Sequence, residues 1–113
     1  MMHETTCDLA TRQRIHVVGV GGPGMSAIAT TLQQMGHLVS GSDIKSSELI
    51  ERLVGLGIRV NIGHDSSVVH DCDAVTASTA IPRTNIELVE AEQSRVPVLN
   101  RAATLASICA ISP

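Results

Sequence analysis

At 113 residues, 43% of them hydrophobic, the chain has apolar material for one compact core and too little for a second. A formal charge of -3 without any run of Lys or Arg excludes the basic stripe that nucleic acid or an anionic membrane requires, and the absence of Phe, Tyr and Trp removes base-stacking side chains. Three widely spaced cysteines, Cys7, Cys72 and Cys109, fit neither a disulfide framework nor a CxxC metal pair; with no signal peptide or apolar membrane span in the sequence, they point to a reducing cytoplasm.

Residues 1–13, mixed in charge, read as a flexible lead-in. The run RIHVVGV (14–20) predicts a buried strand with His16 as a satisfied core residue, and Met25, Ile28, Ala29, Leu32 and Met35 then recur at helical spacing until Gly36. HLVSGS (37–42) predicts a second strand, and SSELIERLVGLG (46–57), with serines and glutamates at its start and glycine at its end, a second helix. Further strands are expected over 58–62, 73–78 and 96–100, with a loop and one helical turn over 63–72. A helix over 84–95 opens on Thr84 and Glu87, the T-x-x-E spacing of a capping box, and a last helix runs over 101–110 before a linker or truncation edge at 111–113.

Strands separated by helices need right-handed crossovers. The expected fold is therefore α/β: a Rossmann-like, doubly wound parallel sheet of about five strands with helices on both faces. In such sheets ligands bind beyond the carboxyl ends of the strands, where the winding reverses.

GVGGPGMS (19–26) occupies that position. Gly19, Gly21 and Gly24 satisfy G-x-G-x-x-G: the first allows the tight turn, the second lets a phosphate approach the backbone, and the third packs helix against strand. A helix starting near Pro23 would aim the amides of Gly24, Met25 and Ser26 at a bound anion. Asp43, at the end of the second strand, has two readings, a grip on a ribose hydroxyl or a turn cap. The residues alone thus predict a nucleotide site. That leaves room for an NAD(P) domain of an oxidoreductase or a free-standing nucleotide-sensing regulatory domain.

Four segments in this order, GVGGPGMS, VSGSD, IGHD and STAIP, within residues 14–110, resemble the N-terminal, UDP-binding domain of the Mur ligases, and within that family its alanine-adding members. The resemblance implies a domain that holds the UDP part of UDP-N-acetylmuramate in the bacterial cytoplasm, for an ATP-dependent amide ligation in peptidoglycan synthesis. By position, Gly21, Gly22, Gly24, Met25 and Ser26 would face the diphosphate, Ser42 and Asp43 would lie beside the nucleoside, and His64 near the uracil. ATP and Mg2+ would be used by central and C-terminal domains absent from these residues. No Gly-Lys-Thr loop occurs here, so the chain by itself is expected to be inactive as a ligase.

Ser78, Thr79, Ala80 and Ile81 follow the fourth strand, across the crevice from the glycine turn, where they form either a second wall of the site or a turn stiffened by Pro82. His64 likewise is either a base reader or a loop residue capping a strand. Arg101, at the start of the last helix, suits either a phosphate or interdomain role or plain solvent exposure. Cys72 and Cys109 are expected as buried small hydrophobes, and the scattered histidines give no metal site. Pro23, Asn85-Ile86-Glu87 and Ala103 depart from the family's usual small residue, Asn-Pro-Glu and glutamate.

Overall fold

In the computed structural model, which describes residues 9–111, β1 (Arg14–Val18) lies at the centre of one five-stranded parallel sheet ordered β3-β2-β1-β4-β5. Its neighbours are β2 (Leu38–Asp43) and β4 (Ala74–Ala77), with β3 (Arg59–Ile62) and β5 (Val98–Asn100) at the edges. The chain winds outward from β1 in one direction through α1 (Pro23–Gln34) and α2 (Glu48–Gly55). It then crosses to β4 through a 3-10 turn (Ser66–Val69) and winds the other way through α3 (Ile86–Gln93), before α4 (Arg101–Ile111) ends the fold. The winding therefore reverses between β1 and β4, and the crevice opens at their carboxyl ends.

Alternation along β1 divides the interior in two. Ile15 and Val17 pack with Met25, Ile28, Leu32, Ile50, Leu53 and Ile108 beneath α1, α2 and α4. Val18 packs with Val69, Val75, Ala77, Ala91 and Val96 on the α3 face. His16, also on that second face, is fully buried and hydrogen-bonded, as a core histidine requires.

The helix stops follow the glycines. Gly36 and Gly57, past the ends of α1 and α2, take φ of +100 and +94, left-handed values that glycine adopts without a steric penalty. Ser47 caps α2 by accepting from the Ile50 amide at 3.2 Å.

Three expectations are corrected. Leu9 is buried in the larger core and the Gln13 amide donates to His37 Nδ1 at 3.1 Å, so the lead-in is anchored at these two positions, with Ala10, Thr11 and Arg12 exposed between them; Cys7 and the rest of the lead-in lie outside the described residues. Cys109 is exposed on α4, whereas Cys72 is half-buried and burial, followed by the charges of Asp71 and Asp73, pushes its thiol up to about 11. The capping box does not form: Asn85 is the cap of α3, accepting from the Glu87 amide at 2.9 Å, and Glu87 turns inward.

Candidate functional site

The glycine turn sits at the carboxyl end of β1. Gly19 takes φ +76, and its amide and that of Val20 both donate to the Ser42 carbonyl at 2.8 and 3.0 Å, which ties the turn to β2. Close approach there is permitted by Gly41, where a Cβ would lie 2.7 Å from the Val20 side chain. The residue that lets strand and turn pack closely is thus Gly41, which the G-x-G-x-x-G pattern does not include.

The Gly22 amide donates to the Gly19 carbonyl at 3.0 Å, and Gly22 is then the N-cap of α1. It has no side chain to cap with, Pro23 fills the first helical position, and the first turn carries no acidic residue. The first turn itself therefore offers the positive end of the helix dipole no counter-charge; the Asp43 carboxylate reaches the preceding residue instead, at the Gly21 amide 2.9 Å away. Of the three amides expected to be free, those of Met25 and Ser26 donate back to the Gly22 carbonyl at 3.2 and 3.1 Å; only the Gly24 amide has no partner among the described residues. The Met25 side chain is in the core, and the Ser26 hydroxyl is buried against the Pro23 carbonyl at 3.4 Å.

Arg101 completes this corner. A Cβ on Gly24 would lie 2.7 Å from the Arg101 guanidinium carbon, so the cation rests against the N-terminus of α1 beside the free amide. Neither the glycine pattern nor the charge distribution reveals this contact, because it joins residues 77 positions apart through the packing of α4 on α1 (24 to 101).

Asp43 braces the turn. Its Oδ2 accepts from the Gly21 amide at 2.9 Å and its Oδ1 from the Ile44 amide at 2.7 Å. A Cβ at Gly21 would lie 2.8 Å from Asp43 Oδ2 and 3.1 Å from Ile50, so the side chain missing at this position makes room for the protein's own atoms. Across the crevice, Ile81 meets Gly19, where a Cβ would lie 2.9 Å from Ile81 Cδ1. The Ser78 carbonyl accepts from the Ile81 amide at 3.1 Å, while Thr79 and Ala80 are exposed. Ser78, Thr79 and Ile81 line one wall of a cleft of ≈ 530 Å³ that continues to Asn100 and Ala103. The two loops are therefore in contact.

Beside the turn lies a buried polar cluster centred on Glu87. Its Oε1 accepts from Ser42 Oγ, from His16 Nε2 at 3.1 Å and from His64 Nδ1 at 3.1 Å, and its Oε2 accepts from the Asp65 amide at 3.1 Å. Burial pushes the Glu87 carboxyl up, but the bonds from His16, Ser42 and the Asp65 amide outweigh it and hold the group at about 2. The Ser42 side chain is thus committed to Glu87, and His64 is held at the carboxyl end of β3 with its ring 17% exposed. Sequence reasoning placed Glu87 in a local cap and missed this cluster. A usable signal was present in His16 on β1 and the alternating Ser40 and Ser42 on β2, polar residues in apolar strand runs, of which His16 and Ser42 are fully buried and need a partner.

Among the described residues no three His, Cys, Asp or Glu side chains gather to hold a metal ion, and no helix is long and apolar enough to cross a membrane.

The Mur ligase family model, described as its catalytic domain, matches residues 14–112. The UDP-N-acetylmuramate–L-alanine ligase of Rubrobacter xylanophilus is 50% identical over 97 residues, covering 86% of this chain and 22% of that protein; that of Halorhodospira halophila is 49% identical over 96 residues, covering 85% and 20%. The crystal structure of the UDP-N-acetylmuramate–alanine ligase of Thermotoga maritima matches with a TM-score of 0.82 at 35% identity, over 88% of this chain and 23% of that one. This chain spans about a fifth of the length of these relatives. With a family model matched from β1 to the end of α4, and relatives alike in both sequence and fold, the chain belongs to the Mur ligase family.

Proposed function

We propose that this chain is the UDP-sugar-binding domain of a UDP-N-acetylmuramate–L-alanine ligase, a cytoplasmic enzyme of peptidoglycan synthesis, and that residues 14–110 form the binding unit. The observation that carries this reading is the corner formed by the uncapped N-terminus of α1, the free Gly24 amide and the Arg101 guanidinium, a concentration of positive potential suited to a diphosphate. Gly19, Gly21 and Gly22 shape the turn, Met25 and Ser26 anchor the helix that presents it, and Ser42, Asp43 and His64 border the nucleoside. Ser78, Thr79, Ala80 and Ile81 form the opposite wall. The alanine-adding relatives are named for UDP-N-acetylmuramate, whose UDP half matches this chemistry.

The sequence has no Gly-Lys-Thr loop, and among the described residues no three metal-ligating side chains gather. The contribution assigned to this domain is binding and orientation of the nucleotide sugar, while the amide-forming step requires the central and C-terminal domains of the full ligase.

Thermal unfolding with UDP-N-acetylmuramate, UDP and NAD in parallel tests the reading. A ligand at ~100 times its Kd stabilises by about 2.7 kcal/mol, an increase in Tm of about 10 °C or more for a domain of this size. Both uridine compounds are expected to produce it. A response to NAD alone would replace the reading with that of an oxidoreductase domain.

A further inference from the structure

The Glu87 cluster carries an inference about which base the site selects, and it rests on the nucleotide reading above. An ionised carboxylate only accepts hydrogen bonds, so each group around Glu87 must donate to it. His16 meets Oε1 through Nε2 and therefore carries its proton there, leaving Nδ1 to accept from Ser40 Oγ at 2.8 Å. His64 meets the same oxygen through Nδ1 at 3.1 Å. Its proton is therefore on Nδ1, and in the neutral ring Nε2, across the ring from the carboxylate, has only a lone pair to offer.

The position of His64 gives that lone pair a use. It follows β3 at the carboxyl edge of the sheet, and Ser42, 3.2 Å from its ring, has the carbonyl that receives the glycine-turn amides. A nucleotide whose diphosphate lies against the turn extends its nucleoside over the ends of β2 and β3, where the partly exposed ring stands. Uracil presents a donor, the imide N3–H, whereas cytosine presents an acceptor at N3.

We propose that Glu87 is a positioning residue for base selection: it fixes His64 in the Nδ1–H tautomer, so that Nε2 accepts the imide N3–H of uracil and meets the cytosine N3 lone pair to lone pair. Glu87 acts through His64 and does not touch the nucleotide.

The test combines the histidine ring 15N spectrum of the 113-residue chain with Kd values for UDP and CDP. The ligand-free chain is expected to show His64 protonated at Nδ1, with UDP bound about tenfold or more tightly than CDP. In Glu87→Gln, whose amide can donate as well as accept, the tautomer preference and the UDP-to-CDP ratio are expected to collapse together, while Arg101 still holds the diphosphate. Should Glu87→Gln fail to fold, His64→Gln, at a partly exposed position, is expected to lose the preference instead. Protonation at Nε2 in the ligand-free chain, or equal affinities for UDP and CDP, would overturn the proposal while leaving the nucleotide reading intact. Binding of neither nucleotide would end the nucleotide reading and base selection together.

Discussion

Replacing Glu87 with alanine is expected to remove about 3–5 kcal/mol of folding stability, a large part of what a domain of this size possesses. The truncation leaves the Ser42 hydroxyl, the His16 and His64 ring N–H groups and the Asp65 amide without their shared acceptor, and the first two residues are fully buried. Each abandoned buried donor costs about 1–3 kcal/mol, although neighbouring groups recover part of it by rearranging. Glu90→Ala is the control: that carboxylate, one turn further along α3, meets Ser94 and the exposed His70 and is expected to matter by about 0.5 kcal/mol or less. Urea unfolding of both variants at neutral pH measures the contrast.

The same carboxylate sets an acid limit. Its folded value of about 2 lies below the ordinary 4.5 of an unfolded glutamate, so its stabilisation is complete above about pH 4.5 and is lost as the pH falls toward 2. The loss over that window is of order 3 kcal/mol, and the slope of stability against pH there is expected to flatten in Glu87→Ala.

The second large effect concerns affinity. Arg101→Ala is expected to weaken UDP binding about ten- to a hundredfold, the usual worth of a charge-assisted hydrogen bond to phosphate, with little change in stability because Arg101 is exposed. Gly24→Ala separates the same contact from folding. Its backbone is helical, so alanine fits and adds up to about 0.5–1 kcal/mol of helix stability. The new methyl, however, occupies the place of the guanidinium, the far end of a flexible side chain, and displaces it. Stability rising while UDP affinity falls about tenfold is the expected signature, read by thermal unfolding and calorimetric titration; affinity unchanged in both variants would remove Arg101 from the site. Gly21→Val offers no such separation, since its side chain would collide with Asp43 and Ile50 before reaching any ligand.

These two cases also mark what the sequence disclosed. Strand and helix positions follow from local signals: β-branched runs, helical spacing of Met25 to Met35, Ser47 before Glu48, and glycines where φ is positive. The turn at Gly19 and its place at the crevice were legible for the same reason. Contacts made by folding were not. The T-x-x-E spacing of Thr84 and Glu87 suggests a cap, but Asn85 supplies a better one nearer the helix and frees Glu87 to serve His16, 71 positions away. Likewise Gly24 and Arg101 meet only because α4 packs on α1, and Asp43 turns toward Gly21 because a bare amide lies 2.9 Å from its carboxylate.

On the proposed reading, a pyrophosphate-bearing uridine nucleotide seats on the N-terminus of α1. A titration of UDP into the 15N-labelled chain, followed through backbone amide shifts, tests it most directly. The Gly24 amide is expected to move furthest, joined by Gly22, Ile81 and His64, with the Arg101 side-chain signal shifting at the same nucleotide concentration. Saturable shifts confined to the amino ends of the strands, around His37 and Arg59, with Gly24 unmoved, would contradict it.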